Sequence, residues 1–145
     1  MTADILNSNT TKNWLLIKRI VRFGETDSAG VIHFNHLLRW CHEAWEESLE
    51  LYGIKAFNIF PGYNNNDVST PEIALPIVHC QADYLKPIQL GDRLLLKLQP
   101  EKIDIASFQL KINFEKKNIK VASGLIRHTA IDIHTRRRCS LPKEI

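Results

Sequence analysis

One segment of this chain carries sustained helical periodicity, and it constrains every other part. From Asn35 to Tyr52 an apolar stripe runs through 37, 38, 41, 44, 45, 48/49 and 52. That is the i, i+3, i+4, i+7 stripe of an amphipathic helix. Arg39, His42, Glu43, Glu46, Glu47 and Glu50 mostly take the opposite face. Asn35 suits an N-cap, and Gly53 suits the left-handed residue that ends a helix. Nothing else of comparable length reads as helix, so one helix has to serve the whole fold.

The remainder reads as strands. WLLIKRIVRF, residues 14–23, is rich in β-branched and aromatic side chains and stops at Gly24. Residues 72–85 form a second strand, with Pro76 suggesting an edge or a bulge near its start. Residues 93–103 alternate through Leu94, Leu96 and Leu98. Residues 106–115 alternate Phe108, Leu110, Ile112 and Phe114 against Gln109, Lys111, Asn113 and Glu115. Residues 119–133 form the last strand. The order is strand, loop, helix, then four strands with short links. That order predicts an α+β fold with an antiparallel five-stranded sheet and one helix on it. A single helix cannot shield such a sheet, so partner subunits are expected to bury the rest.

Residues 1–145 form a single domain on this reading, with 1–12 as a flexible arm and 61–71 as an irregular loop beside the pocket. No stretch approaches the roughly 18 apolar residues of a membrane span, and the N-terminus lacks a signal-peptide core. The formal charge is +3 and the isoelectric point about 8.8. This suits an anionic ligand but is too weak for a nucleic-acid binder. Cys41, Cys80 and Cys139 are odd in number and form no CxxC pair, as expected of reduced thiols in a cytoplasmic protein.

The chemistry concentrates in the loop before the helix, TDSAGVIHFN. Asp27 can act as a base or nucleophile just upstream of a helix start. The free N–H groups of that start can polarise a carbonyl and hold a developing oxyanion. Gly30 lets the backbone approach a ligand closely. The plain alternative is an Asp in an ordinary turn. His33 and His36 have HxxH spacing, but no carboxylate or cysteine completes a ligand set, so no metal is expected. His33 stands as a substrate contact or as a hydrogen-bond partner within the loop. Among the helical carboxylates, Glu43 is the alternative catalytic candidate. Trp40, Trp45 and Phe34 could line an aromatic pocket, although Trp45 reads equally as core. Arg136, Arg137 and Arg138 form the densest basic run, either as solvated surface or as a phosphate contact.

The stretch RFGETDSAGVIHFNHLLRWCHEAWEESLELYGI resembles the signature of hotdog-fold thioesterases of the 4-hydroxybenzoyl-CoA type. The matching positions are Asp27, Ala29, Gly30, Val31, Ile32 and Phe34. YLKPIQLGDRL at 84–94 and ASGLIRHTAIDIHTRRRCSLP at 122–142 fit as well, so the resemblance spans about residues 14–142. It implies a sheet wrapped around one long central helix. It implies Asp27 as the catalytic carboxylate and the Phe34 N–H as the carbonyl-polarising donor, with Gly30 and His33 at the substrate. For CoA it implies basic residues near strand ends, and Lys86, Arg136, Arg137 and Arg138 are the candidates, with Arg93 and Lys143 as further ones. It implies an acyl-CoA substrate with no separate cofactor, and a dimer at least, extending to a tetramer. Within that family the pattern is most similar to the branch acting on 1,4-dihydroxy-2-naphthoyl-CoA in phylloquinone synthesis. 4-Hydroxybenzoyl-CoA and short-chain acyl-CoA hydrolases share nearly the same motif. A hotdog dehydratase would use a His with a helical Glu in another pattern. A non-catalytic acyl-CoA-binding module is the rival of another class, and a carboxylate set against a thioester argues against it.

Overall fold

The computed structural model describes residues 14–54, 72–143 and 145, so the expected arm at 1–12 and loop at 61–71 lie outside the described residues. Strands β1 (Leu16–Ile20), β3 (Ile77–Tyr84), β4 (Arg93–Lys102), β5 (Ser107–Lys116) and β6 (Ile119–Thr129) form one antiparallel sheet in the order β1-β4-β5-β6-β3. Helix α1 (Asn35–Tyr52) packs across it. This is the hotdog arrangement, an α+β fold with one helix against a five-stranded sheet.

The alternation in the strands decides which face takes the helix. Register pairs Leu96 with Phe114, Leu98 with Ile112, Ile112 with Gly124 and Leu110 with Ile126. These side chains are buried on one face, while Lys97, Lys111 and Asn113 lie on the other. A two-residue turn, Lys117-Asn118, joins β5 to β6 with φ of 49° and 65°, the left-handed pair that matches strand twist. Gly124 lets the helix come close, because a Cβ there would sit 2.5 Å from the Cys41 Sγ.

Three expectations need correction. The segment 72–85 is two strands. Pro76, which has no N–H to give a ladder, separates β2 (Ile73–Ala74) from β3, and β2 pairs with β7 (Ile131–Asp132). The segment 119–133 divides in the same way at Ala130, after which β7 leaves the main sheet. The first strand is shorter than 14–23, and a 3-10 turn at Phe23–Glu25 follows it.

The edge strand β3 differs from the rest. Both its faces are largely exposed, including Ile77, Val78 and Tyr84, and among the described residues its outer edge meets no other strand.

Candidate active site

The loop between β1 and α1 is a small closed ladder. Thr26 bridges Ile32, the Asp27 N–H donates to the Val31 carbonyl (2.8 Å), and the His33 N–H donates to the Glu25 carbonyl (2.9 Å). Its tip is a β-turn in which the Gly30 N–H returns to the Asp27 carbonyl (3.1 Å). Gly30 has φ of 79°, and a Cβ there would meet nothing within 4 Å. The requirement at this position is therefore backbone conformation rather than space. The ladder is also tied to the segment after β3, through the Ile32 N–H to the Ile88 carbonyl (2.9 Å) and a bridge from Val31 to Gln89.

The turn aims Asp27 outward. Its Oδ1 accepts the Ala29 N–H (2.8 Å), an Asx-turn bond that fixes the carboxylate. The side chain is exposed in the single chain. Asp27 opens on a pocket of about 440 Å³ that it lines with Val31, Phe34, Tyr84, Lys86 and Ile88.

The helix start faces that pocket. Asn35 is the first helical residue rather than the N-cap. Phe34 takes the cap position in αR conformation, with no side-chain capping bond. The reason is local: His33 Nδ1 contacts Asn35 Oδ1 at 2.7 Å, which diverts the amide oxygen from the helix N–H groups. Thus His33 is a hydrogen-bond partner within the loop whose ring also borders the helix start. Among the described residues the Phe34 N–H has no acceptor in the chain. The Phe34 carbonyl accepts the Tyr84 hydroxyl at 2.5 Å, which ties β3 to the helix start. Burial raises the Tyr84 pKa and the nearby Cys41 adds to the rise, so the phenol remains a neutral donor.

A second carboxylate stands two residues before Asp27 and points inward. Glu25 is buried. Its Oε1 accepts the Arg22 N–H (2.9 Å). Its Oε2 accepts the Trp40 indole N–H (2.7 Å) and the Arg19 guanidinium. Burial alone would raise the Glu25 pKa, but the bonds from Arg22, Arg19 and Trp40 together outweigh it and hold the carboxyl below its ordinary range. Arg19 also lies over the Trp40 ring, 4.6 Å from its centroid. Glu43, the helical candidate, is engaged by Arg19 and Arg39 at 3.1 Å each, so its carboxylate is held by cations.

The basic candidates separate into two groups. Lys86 lies at the Asp27 pocket and also lines a neighbouring cleft with Lys116 and Lys117. Lys116 is partly neutralised by Asp92 at 2.7 Å. Arg136, Arg137 and Arg138 follow the opposite end of β6. Tyr84 pairs with Ala122, and Thr129 lies seven residues further along that strand, about 23 Å away. Within one protomer the arginines and Asp27 are not brought together. Arg138 is tied to Asp104 and to the Ser107 hydroxyl (3.2 Å), which pins the tail to the β4–β5 loop. Among the described residues no group of His, Cys, Asp and Glu could hold a metal ion. Trp45 is core, packed on Phe108 and Trp14 toward the far end of the helix. Trp40 is fully buried beneath the loop rather than lining the pocket.

Sequence reasoning missed Glu25, Tyr84, Lys116 and Lys117. Only Glu25 left a signal, as a carboxylate two positions from Asp27 in GETD. The others become neighbours of the site through strand pairing.

A five-stranded sheet wrapped on one long helix is the fold of known thioesterases. The family model described as thioesterase-like superfamily matches residues 21–145. The chain belongs to that family. A 1,4-dihydroxy-2-naphthoyl-CoA hydrolase of Prochlorococcus marinus (strain MIT 9313) is 54% identical over 134 residues, covering 92% of this chain and 88% of the relative. One from Synechococcus sp. (strain CC9605) is 53% identical over 133 residues, covering 92% and 87%. Among solved structures, a putative thioesterase from Prochlorococcus marinus str. MIT 9313 superposes with a TM-score of 0.88 at 53% identity, over 92% of each chain. A 1,4-dihydroxy-2-naphthoyl-CoA thioesterase from Synechocystis superposes with a TM-score of 0.78 at 30% identity, over 90% of each.

Proposed function

We propose that this chain hydrolyses 1,4-dihydroxy-2-naphthoyl-CoA to 1,4-dihydroxy-2-naphthoate and CoA, a step that serves phylloquinone synthesis. The observation that carries the reading is the pairing of the outward Asp27 carboxylate with the unclaimed Phe34 N–H at one pocket. Identity above half to hydrolases of that name supports the substrate. The thioester carbonyl oxygen lies against the helix start, where the N–H and the helix dipole stabilise the charge that develops on it. Asp27 either deprotonates a water that attacks the carbonyl carbon, or attacks it itself to form a mixed anhydride that a water then hydrolyses. The C–S bond breaks, the thiolate leaves with the electron pair and takes up a proton, and the acid is released.

The phosphates of CoA lie on the same face at Lys86, with Lys116 and Lys117 beside it. Arg136 and Arg137 reach a site only from a neighbouring subunit, as does Arg138 if it exchanges Asp104 for phosphate. The functional unit is a dimer in which two β3 edges pair, because an exposed apolar edge strand is otherwise a liability. Two such dimers form a tetramer. The partner also closes the Asp27 pocket, over a Phe34 that is 72% exposed in the single chain. No described helix is long and apolar enough to cross a membrane. Three free cysteines fit a cytoplasmic enzyme.

A thiol-release assay tests the reading, with 1,4-dihydroxy-2-naphthoyl-CoA, 4-hydroxybenzoyl-CoA and a short aliphatic acyl-CoA as substrates. Preference for the naphthoyl substrate, lost in Asp27→Asn, is the expected result. Comparable turnover of all three would retain the thioesterase and reject the substrate. Binding without turnover in either protein would make the chain an acyl-CoA-binding module.

A further inference from the structure

Asp27 is held by a turn whose ladder is tied on one flank to Ile88 and Gln89, while its base at Glu25 is what joins it to the helix and to β1. We propose that Glu25 is the positioning residue of the site, clamping the Asp27 loop to the helix and to β1 at once. The inference rests on the thioesterase reading for its kinetic consequence, but not for its structural one.

The geometry is that of a three-way junction. The Glu25 carboxylate receives the Arg22 N–H from the end of the β1 segment (2.9 Å), the Trp40 indole N–H from α1 (2.7 Å) and the Arg19 guanidinium from β1. Its own carbonyl receives the His33 N–H (2.9 Å), one residue before Phe34. One residue therefore binds both rails of the loop ladder, the helix one and a half turns past its start, and the neighbouring strand. Asp27 stands two residues along one rail and Phe34 one residue beyond the other. A displacement of the junction would move the carboxylate and the polarising N–H relative to each other, and reaction rate depends steeply on that distance.

The chemistry at the junction needs a carboxylate in particular. All three partners are donors, and Trp40 is buried with no exposed surface. A glutamine keeps one acceptor oxygen but turns an NH2 toward one of the donors, leaving a buried donor unmatched. The second cation near Glu25, Arg39 at 3.9 Å, is also held by Glu43. The junction is thus part of a larger cluster of two carboxylates and two arginines, of which only Glu25 is buried.

The test uses the full-length protein and its Glu25→Gln variant. Turnover of the naphthoyl thioester is expected to fall by about 10²-fold, the scale of a misplacement on the order of 1 Å. KM is expected to stay within about threefold, as for an interaction felt only in the transition state. In an Asp27→Asn background, Glu25→Gln is expected to cost little more, because the clamp acts through Asp27. A merely structural role would lower both backgrounds alike and overturn the proposal, as would a kcat equal to wild type. Should Glu25→Gln not fold, Trp40→Phe removes one donor while keeping most of the packing, and a smaller fall in kcat at constant KM is expected. Amide hydrogen exchange is independent of activity. Protection at Asp27, Ile32 and His33 is expected to drop about tenfold while Leu110 and Ile112 hold, as in a local opening. Unchanged exchange in the loop would overturn the clamp even if the enzyme acted on no thioester, whereas an inactive wild type with a loosened loop would overturn only the proposed reaction.

Discussion

The two ends of the long helix are finished in opposite ways. At the C-terminal end, Gly53 adopts φ of 105° and its N–H returns to the helix, while the Ile54 N–H reaches the Leu49 carbonyl (2.8 Å). Those bonds satisfy the orphan carbonyls in a Schellman-type close. Trp14 packs at a tilt against Tyr52 and Trp45 there and covers the end with aromatic surface. At the N-terminal end no side chain caps the helix, Asn35 spends its amide on His33, and the Phe34 N–H has no acceptor among the described residues, at a residue that lines a pocket with Asp27. An uncapped end forgoes about 1 kcal/mol of helix stability. On the proposed reading, the difference marks where stability is exchanged for reactivity: donors left unsatisfied by the chain are donors available to a substrate.

The comparison can be broken most severely at Asp27. Asp27→Asn keeps the side-chain shape and the Ala29 bond, and is expected to lower kcat by about 10²–10⁴-fold with the melting temperature almost unchanged; steady-state kinetics beside calorimetry checks both. Paired substitutions at the two left-handed glycines sharpen it next. Gly30→Ala and Gly53→Ala each place a Cβ in open space, so each bears mainly a backbone cost of about 1–2 kcal/mol. At Gly53 the cost is expected to appear as a lower melting temperature with kcat retained, and at Gly30 as a lower kcat as well. If the two glycines behave alike, the two ends are not functionally distinct.

Between the ends, Gly124→Ala is expected to destabilise by about 1–3 kcal/mol through overpacking, because its Cβ would meet Cys41. Burial pushes that thiol up to about 12, so it stays protonated and serves as packing. Cys41→Ala in the same chain is expected to return part of the loss, and denaturant titration of the four combinations measures the coupling. Lys86→Ala and Lys117→Ala are expected to raise KM for the CoA thioester by about tenfold or less, as for exposed charge contacts, and to leave a thioester lacking the nucleotide unaffected.

The smallest effect is in acid. Because the folded Glu25 pKa is depressed, its contribution to stability is present above its ordinary value of 4.5 and disappears as pH falls through the lower folded value. Tryptophan fluorescence should therefore give Glu25→Gln a flatter acid-unfolding curve than wild type.

Much of this was legible before any coordinates. The helix span, the alternating faces of β4 and β5, and Asp27 beside a glycine turn are local patterns written in consecutive residues. The breaks were less legible. Pro76 signalled an irregularity, but that Ile73 and Ala74 pair with Ile131 and Asp132 is a long-range fact. The N-cap was misread because Asn35 has a competitor, His33, whose reach is set by the fold of the loop. Glu25 went unread in GETD because only the fold sets Trp40 and Arg19 around it. Lys86 was found through a resemblance, but its separation from Arg136, Arg137 and Arg138 along β6 follows only from strand register.

The measurement that tests the central claim most directly is a crystal structure of Asp27→Asn with 1,4-dihydroxy-2-naphthoyl-CoA bound. The account predicts the thioester carbonyl oxygen at roughly 2.7–3.1 Å from the Phe34 nitrogen, with the substituted amide side chain at position 27 facing the carbonyl carbon. A thioester bound away from the helix start, with the Phe34 N–H satisfied by another group, would contradict it.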